Sequence, residues 1–300
     1  MSIWVCGEVL IDILPAGPVV GGGPANTAKA LARLGYDVDF IDGISSDAYG
    51  VSARKELEQD GVGLGFSLHS DKPTCTATVT LDSAGAARYE FFIKGTATFD
   101  FNASWLPDAS MLKPSLLHIG TLATIIEPGA GILFDWAVRV GEFAPIVFDP
   151  NIRPSVMGNR ATYAATVEKW ASISSIVKLS DDDIKWLYPD ETLDEVAHRW
   201  ISGGVSCVVV TRGAQGLIGY TEHGMEEVDG AKVSVIDSVG AGDTVGAIIV
   251  EGVIAHSVAG LQGRVLNEVL HRAAIAAGIT CSRAGAQPPY KHELTRAIEK

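Results

Sequence analysis

Short apolar runs alternate with stretches of helical apolar spacing along most of this 300-residue chain. This alternation favours an α/β fold with a mostly parallel sheet and helices on both faces, because each parallel crossover needs a covering element. Ligands of such folds bind beyond the carboxyl ends of the strands, which is where we expect the functional site. Strands are predicted at Ile3–Val9, Val38–Ile41, Leu116–Ile119, Ile146–Phe148, Ile176–Leu179 and Cys207–Thr211, and helices at Thr27–Leu34, Ser46–Gln59, Gly129–Val140 and Leu193–Ile201.

Two adjacent segments break this alternation. Thr74–Leu81 and Ala87–Ile93 alternate apolar and polar residues around the turn sequence Asp82-Ser83-Ala84-Gly85. The pattern is typical of a β-hairpin with one solvated face. An antiparallel hairpin inserted into a parallel-sheet protein suggests a lid over the binding pocket.

Two glycine-rich segments stand near opposite ends of the chain. They read GGGPAN at Gly21–Asn26 and DSVGAGD at Asp237–Asp243, and each leads into a predicted helix. Backbone N–H groups at a helix N-terminus bind anions, and small residues let a phosphate approach them closely. Phosphoryl transfer to an alcohol needs a carboxylate beside such a site, and Asp243 supplies one. The pair predicts one pocket for a hydroxyl acceptor and another for the phosphates of a nucleotide.

Together these segments resemble the two signatures of the PfkB (ribokinase-like) family of carbohydrate kinases, with Ser238 in place of the usual Thr. The resemblance extends over essentially the whole chain. It implies one ribokinase-like α/β kinase domain, residues 1–300, with a small β-sheet lid formed from parts of about 12–20 and 72–98. It also implies ATP and a small-molecule sugar as ligands, and a homodimer formed through the lid as a candidate assembly.

Asp243 is the strongest candidate for catalysis. As general base it would accept the proton of the sugar hydroxyl that attacks the γ-phosphorus, while the N–H groups of Gly240, Ala241 and Gly242 stabilise charge on the transferred group. The simpler interpretation is that Asp243 caps the helix that follows it, since Asp is favoured at that position. Both roles can hold at once.

The acceptor side is predicted from three further stretches. In the resembled family an Asp at the position of Asp12 binds sugar hydroxyls together with Gly22, Gly23 and Asn26, whereas a turn-forming Asp12 and a helix-capping Asn26 are the structural alternatives. We expect Asp12 at the end of the first strand. FDPNIR at Phe148–Arg153 resembles the F-D-x-N-x-R stretch of related kinases, which adds Asn151 and Arg153. Arg88, in the predicted hairpin, could reach the acceptor from the lid.

The nucleotide side is predicted from the strands that follow. SDDD at Ser180–Asp183 is typical of a helix N-terminus, and the resemblance assigns Ser180 to the phosphates and Asp183 to Mg²⁺ through water. For Ser180 and Asp183 the alternative is that they only cap the helix. Lys178 is predicted to reach a phosphate of the nucleotide, and the alternative is a lysine exposed to solvent.

VTRGAQG at Val210–Gly216 resembles the family's V-T-x-G-x-x-G segment and adds Thr211, Gly213 and Gly216 to the nucleotide site. Asp237 is a candidate for a monovalent-cation loop binding K⁺, beside the T-R-x-G-A-like SRAGA at Ser282–Ala286. An Asn expected beside the adenine is missing from Arg272–Ile275, which leaves the adenine contacts open.

Two more stretches narrow the acceptor. YEFFIKGTA at Tyr89–Ala97 and LHIGTLA at Leu117–Ala123 resemble segments of fructokinases, which implies D-fructose as acceptor. His118 in the second stretch is interpreted as a satisfied core residue. The alternatives are 2-keto-3-deoxygluconate kinase or another sugar or nucleoside kinase of the family, and, in a different class, a non-catalytic sugar- or nucleotide-binding regulator.

Composition and missing motifs exclude several classes. The net charge of −13 argues against nucleic acid or an anionic membrane as a partner and is compatible with ATP. No G-x-x-x-x-G-K-[ST] or G-x-S-x-G motif occurs, and the last glycine of GAGDTVG falls one place too late for a dinucleotide fingerprint.

The cysteines and the N-terminus point to the cytoplasm. Cys6, Cys75, Cys207 and Cys281 are scattered, which favours reduced buried thiols. The N-terminus reads as a strand rather than a signal peptide, and no apolar run approaches the roughly 18 residues of a membrane helix.

Overall fold

The computed structural model describes residues 2–81, 87–156 and 159–299. The strands of these ranges are β1 (Ile3–Cys6), β2 (Leu10–Leu14), β3 (Gly17–Gly21), β4 (Val38–Ile41), β5 (Gly43–Ser45), β6 (Leu68–Ser70), β7 (Thr76–Leu81), β8 (Ala87–Phe92), β9 (Leu116–Gly120), β10 (Ile146–Asp149), β11 (Ile176–Ser180), β12 (Cys207–Thr211), β13 (Leu217–Thr221) and β14 (Gly224–Val228). The helices are α1 (Gly23–Arg33), α2 (Ala48–Gln59), α3 (Ala109–Leu112), α4 (Gly129–Gly141), α5 (Arg160–Ala171), α6 (Asp181–Leu187), α7 (Leu193–Ser202), α8 (Ala241–Gly260), α9 (Gly263–Cys281) and α10 (Lys291–Ile298), with 3₁₀ turns at Thr121–Thr124 and Gly213–Gln215.

The large sheet has the order β14-β13-β12-β11-β10-β9-β1-β4. Its strands from β4 to β12 pair in parallel, and β13 and β14 close one edge as antiparallel strands. All six predicted strands lie in the parallel part, so the predicted sheet is confirmed. Their apolar runs have no polar alternation because helices cover both faces.

Two apolar clusters form the core, one on each face of this sheet. Alternate residues of a strand enter different clusters: Phe148 packs with α4, α5, α6 and α7, whereas Val147 packs with α1, α2, α8 and α9. Helix α8 is long and apolar enough to cross a membrane by length and composition, and 56% of its most apolar window is buried inside the protein. It packs between α1 and α9 as a core helix.

The small sheet has the order β3-β2-β7-β8. Strands β7 and β8 pair as an antiparallel hairpin, which confirms that prediction, and β7 joins β2 in parallel. The predicted turn at residues 82–86 lies outside the described residues. We refer to the strands β2, β3, β7 and β8 as the small sheet below.

The first predicted strand is wrong at its C-terminal end. Strand β1 ends at Cys6, and the chain then leaves the large sheet through Gly7, whose φ of 147° and close approach to Pro24 leave no room for a Cβ atom. Asp12 therefore does not stand at the end of the first strand. It lies in the middle of β2, on the small sheet.

Candidate active site

The carboxyl ends of four parallel strands converge on the N-termini of α1 and α8. Thr121 follows β9, Asn151 follows β10, Ser180 ends β11 and Thr211 ends β12. The right-handed crossovers of a parallel sheet place these ends at one edge, where both glycine-rich segments also arrive. Functional residues that are far apart in sequence meet here.

The two glycine-rich segments are joined by a direct hydrogen bond. Asn26 Nδ2 donates to Asp243 Oδ2 over 2.8 Å, and Thr27 Oγ1 donates to the backbone oxygen of Asp243 over 3.3 Å. Both side chains of the first pair are buried. The contact places the predicted acceptor signature against the predicted base.

Neither Asp243 nor Asn26 caps its helix. The N-cap of α8 is Gly240, with φ 78°, and the N-cap of α1 is Gly22, and neither end has a side-chain cap. Asp243 stands in the first turn of α8 with its carboxylate directed to Asn26. The capping interpretations of both residues are wrong, because glycines occupy the cap positions.

Burial, a nearby cation and a nearby anion together set the pKa of Asp243. Burial raises the pKa of this carboxyl most; Lys178 lowers it and Asp149 raises it, and the resulting pKa lies above the ordinary value. The hydrogen bond from Asn26 also favours the ionised form. A carboxyl of raised pKa at this place is suited to accepting a proton near neutral pH.

Gly23 forms the wall between Asp243 and the strand ends. A Cβ atom at Gly23 would lie 2.9 Å from Asn151 Nδ2, 2.9 Å from Thr121 Cγ2 and 3.2 Å from Asp243 Oδ1. These distances are too short for most side-chain contacts, so only glycine brings the three groups this close to one backbone. Gly23 thus sits at the centre of the predicted acceptor residues.

Thr121 and Asn151 adopt strained backbones beside Gly23. Their φ angles are 54° and 39°, a region that non-glycine residues seldom occupy outside functional sites. Thr121 Oγ1 donates to the carboxylate of Glu8, and Glu8 Oε2 also accepts from the N–H of Ala123 over 3.2 Å. Burial raises the pKa of Glu8 to about 8.

Sequence reasoning missed Thr121 and Glu8 as site residues. Glu8 was visible only as an unusual acid within an apolar strand. Thr121 lies in the LHIGTLA stretch that resembles fructokinases, but that resemblance assigned it no role.

Arg153 is exposed and folds back onto the strand end. Its Nη1 donates to Asn151 Oδ1 over 2.7 Å and to the Asn151 carbonyl over 3.1 Å. Burial raises the pKa of Asp12 to about 6, and Arg153 lowers it. Asp12, Asn151 and Arg153 therefore share one electrostatic environment. The side chain of Arg88 lies outside the described part of the structure.

Lys178 is buried, not exposed. The residue is 4% accessible, and its Nζ donates to Asp149 Oδ2 over 2.8 Å. The exposed alternative is wrong because the neighbouring strand offers a buried carboxylate as partner. The second carboxylate oxygen, Asp149 Oδ1, has no hydrogen-bond partner among the described residues.

Ser180 and Asp183 form a capping box at the start of α6. Ser180 Oγ accepts from the N–H of Asp183 over 3.0 Å, and Asp183 Oδ2 accepts from the N–H of Ser180 over 2.8 Å. Asp183 Oδ1 accepts from the N–H of Ile152 over 3.0 Å. Helix capping is confirmed, and it also ties α6 to the loop that carries Asn151.

The predicted nucleotide residues line the next strand end. Thr211, Gly213 and Gly216 follow one another from β12 into β13. Asp237 Oδ1 accepts from the N–H of Val239 and its Oδ2 from the N–H of Gly285, so this carboxylate joins the segment before α8 to the SRAGA stretch. The described residues contain no cluster of three or more His, Cys, Asp or Glu side chains able to hold a metal by themselves.

A cavity of about 270 Å³ opens beyond these residues. Its lining combines apolar residues, among them Val228, Ala274 and Ile275, with polar ones that include Asn267, whose Nδ2 donates to Glu226 over 3.0 Å. The predicted adenine-side Asn is absent from Arg272–Ile275, and Asn267 stands one turn earlier on α9.

His118 is a core residue, but not a satisfied one. It is 1% accessible, and neither ring nitrogen has a hydrogen-bond partner among the described residues. Burial lowers its pKa to about 3, so the ring is neutral near pH 7.

Comparisons with known proteins agree on one family. A family model described as pfkB family carbohydrate kinase matches residues 18–293. The chain is 35% identical to a fructokinase of Rhizobium leguminosarum bv. trifolii over 251 residues, which cover 81% of this chain and 76% of that protein. It is 27% identical to a fructokinase of Klebsiella pneumoniae over 99% of both chains.

Solved structures give the same result. The chain is similar to a fructokinase with bound ATP from Xylella fastidiosa, with a TM-score of 0.92, 26% identity and coverage of 99% of this chain and 98% of that one. It is also similar to a fructokinase from Vibrio cholerae O395 in a fructose-, ADP- and calcium-bound form, with a TM-score of 0.87, 25% identity and coverage of 99% of both chains.

Proposed function

Because this chain belongs to the pfkB family of carbohydrate kinases, we propose that it transfers the γ-phosphoryl group of ATP to the 6-hydroxyl of D-fructose. The observation that carries the proposal is the contact between Asn26 and Asp243 beside Gly23, which joins the N-termini of α1 and α8 and brings the first glycine-rich segment against a buried carboxylate. The fructokinases that this chain resembles support fructose as the acceptor.

The acceptor would bind between the two sheets. Asp12 on the small sheet and Asn26 on α1 would hold the sugar hydroxyls, with Gly22, Gly23 and Asn151 forming the wall. A carboxylate that accepts hydrogen bonds from sugar hydroxyls favours polyols as ligands, because a ligand without those hydroxyls leaves the carboxylate without hydrogen-bond donors. Arg153, and Arg88 from the lid, would complete the site by contacting acceptor oxygens or phosphate charge.

Asp243 would act as the general base. It would take the proton of the attacking hydroxyl as the new O–P bond forms and the bond to the leaving ADP oxygen breaks. The N–H groups of Gly240, Ala241 and Gly242 at the start of α8 would stabilise the charge on the transferred group. No covalent enzyme intermediate is needed.

ATP would extend from this anion site across the ends of β11 and β12. Ser180, Thr211, Gly213 and Gly216 would border its phosphates and ribose, and the cavity beside Ala274 and Ile275 would take the adenine. A concave site that combines apolar residues with a few polar ones is typical of small-molecule sites, which supports this placement.

Mg²⁺ would accompany the nucleotide and neutralise phosphate charge. Both oxygens of Asp183 already accept backbone hydrogen bonds, so contact with the ion through water fits this side chain better than direct coordination. Asp237 would support a K⁺ site in the loop before α8, where it holds Val239 and Gly285 together.

The small sheet would serve as a lid within a single kinase domain of residues 1–300, and as the contact between two copies in the cytoplasm. Val19 and Phe92 on this sheet are 44% and 51% accessible, which supports a surface that a partner covers. Sedimentation of the purified protein, alone and with both substrates, tests this assembly.

The reaction is tested by ADP release with Mg·ATP across fructose, 2-keto-3-deoxygluconate, ribose, adenosine, fructose 6-phosphate and no acceptor. We expect turnover that depends on fructose, with a product whose phosphorus NMR signal matches a 6-phosphate. Preference for another acceptor would change the substrate and keep the chemistry. Measurable ATP binding without turnover on any acceptor would overturn the proposed function and favour the regulator.

A further inference from the structure

Lys178 lies in an unusual position for a residue that binds a nucleotide. It belongs to β11, is almost fully buried, and donates to Asp149 at the end of the neighbouring strand β10. Burial alone would lower the pKa of a lysine, but the surrounding carboxylates raise the pKa of Lys178 above its ordinary value. The ammonium group is therefore charged near neutral pH.

The ion pair lies directly beneath the start of α8. A Cβ atom at Gly242 would come within 3.1 Å of Lys178 Nζ, and Gly242 precedes Asp243. Lys178 is paired with Asp149, and its positive charge also favours the ionised form of Asp243, so two buried carboxylates depend on one buried cation. Because buried like charges repel strongly, removing that cation leaves the two acids in conflict.

We propose that Lys178 is a positioning residue of the phosphoryl-transfer reaction, whose buried ammonium is the counter-ion that keeps Asp243 ionised beside Asp149. The proposal rests on the kinase reaction proposed above. It differs from the sequence-based prediction, in which Lys178 binds the nucleotide phosphates.

The other charged groups around Asp243 do not replace this cation. His118 on β9 is neutral, and Asp183 at the start of α6 adds a further negative charge near Lys178. Arg153 also lowers the pKa of Asp243, but it is exposed and bonded to the Asn151 loop. Without Lys178 we expect Asp243 to hold a proton over a wider pH range and to lose its function as a base there.

The test compares three variants by the pH dependence of kcat/KM for the acceptor and by ATP affinity measured calorimetrically. In Lys178→Met we expect the acidic limb of the profile to move upwards by about one pH unit or more, because one opposite charge at this range shifts a pKa by about 1–3 units. We expect the ATP dissociation constant to stay within about threefold of the wild-type value, which is a smaller change than the tenfold one that corresponds to roughly 1.4 kcal/mol. Lys178→Arg should keep the acidic limb near that of the wild type.

The double variant Lys178→Met/Asp149→Asn separates charge balance from contact with phosphate. It removes the cation together with the competing anion, so we expect its acidic limb to return towards the wild-type position. If Lys178→Met does not fold by circular dichroism, the Arg and double variants decide. An acidic limb that stays in place while ATP affinity falls by about tenfold or more would overturn the proposal in favour of a phosphate contact.

Failure of the kinase assignment is a separate result. Wild-type protein that turns over none of the acceptors refutes the proposed function, while the ATP titrations of the same variants still decide whether Lys178 binds phosphate. A shifted limb with an acceptor other than fructose supports the role of Lys178 and changes only the sugar.

Discussion

Asp243 illustrates how a fold can give a single side chain the environment that the proposed general base needs. Its first-turn position in α8 directs the carboxylate to Asn26, while burial and the neighbouring ion pair set its acidity. An isolated Asp in a helix turn would be solvated and weakly basic. Here the fold removes the water, which makes the effect of each nearby charge larger.

Asp243→Asn tests this environment. We expect turnover to fall by about 10²–10⁴-fold, the usual range for loss of a general base, while ATP still binds, because the amide keeps the shape and loses the proton acceptor. Steady-state kinetics and calorimetric ATP titration measure the two effects. Asp182→Asn, on a side chain that is 89% accessible, is the control and should behave as wild type. Turnover of Asp243→Asn within a few-fold of wild type would contradict its role.

Gly23→Ala tests the close approach at the acceptor wall. The added methyl group would press on Asn151, Thr121 and Asp243 at 2.9–3.2 Å, and a displacement of about 1 Å at a reacting centre costs about 10²-fold. We expect that loss in kcat/KM for the acceptor, with the folded state retained. Gly65→Ala has open space around the new atom and serves as the matched control. Equal kinetics in both variants would remove Gly23 from the site.

At the scale of elements, the short helix α6 links the end of β11 to the loop that carries Asn151. Its capping box satisfies two backbone donors, and the spare oxygen of Asp183 holds the N–H of Ile152. A second capping box, Thr192 with Glu195 at the start of α7, has the same chemistry without a tie to the site. The two boxes allow stability and activity to be separated.

Ser180→Ala and Thr192→Ala form a matched pair. Each removes a helix cap and should lower the free energy of unfolding by about 1 kcal/mol in urea titrations. We expect only Ser180→Ala to raise the KM for ATP as well, because its helix borders the phosphate site. An equal kinetic effect of both changes would show that the KM reports stability alone.

Much of the fold could be predicted from the sequence, for reasons visible in particular elements. Buried parallel strands such as Val38–Ile41 and Cys207–Thr211 are short runs of mainly apolar residues, and their observed bounds equal the predicted ones. The error at β1 arose because Leu10 and Ile11 continue the apolar pattern while Gly7 redirects the chain. Apolar periodicity does not report which sheet a strand joins.

The site was predicted less completely, because its geometry depends on contacts between distant segments. The signatures marked Asp243 and Asn26 but not the hydrogen bond that joins them. The burial of Lys178 depends on Asp149 in a neighbouring strand, and Thr121 is distinguished only by its backbone angle. Side-chain partners and strained angles are properties of the folded chain, and one sequence contains no direct record of them.

At the scale of the whole molecule, the buried carboxyls make stability depend on pH. Burial raises the pKa of Glu8 from 4.5 to about 8, so between these values the folded state binds more protons than the unfolded state. The free energy of unfolding therefore falls as pH rises through this window, by up to about 1.4 kcal/mol per pH unit from this group. The stabilisation that Glu8 contributes is fully present below the ordinary pKa of a glutamate and is lost as the pH rises through about 8.

Glu8→Gln tests this dependence by keeping the side chain neutral at every pH. We expect a flatter decline in the free energy of unfolding between pH 5 and pH 8 than in the wild type, measured by urea titration at several pH values. Glu142→Gln, on the surface at the end of α4, is the control and should retain the wild-type slope. Parallel slopes in Glu8→Gln and wild type would contradict a buried neutral Glu8.

The division of the proposed acceptor site between the small sheet and α8 affects the hydrolysis of ATP in the absence of a sugar. Asp12 belongs to the small sheet and Asp243 to α8, and a water molecule has a single oxygen, so it offers no separate hydroxyls to the two carboxylates. A sugar can bridge the pair through separate hydroxyls. Under the proposed chemistry, the same split that admits the sugar protects the nucleotide from hydrolysis while the enzyme waits for its acceptor.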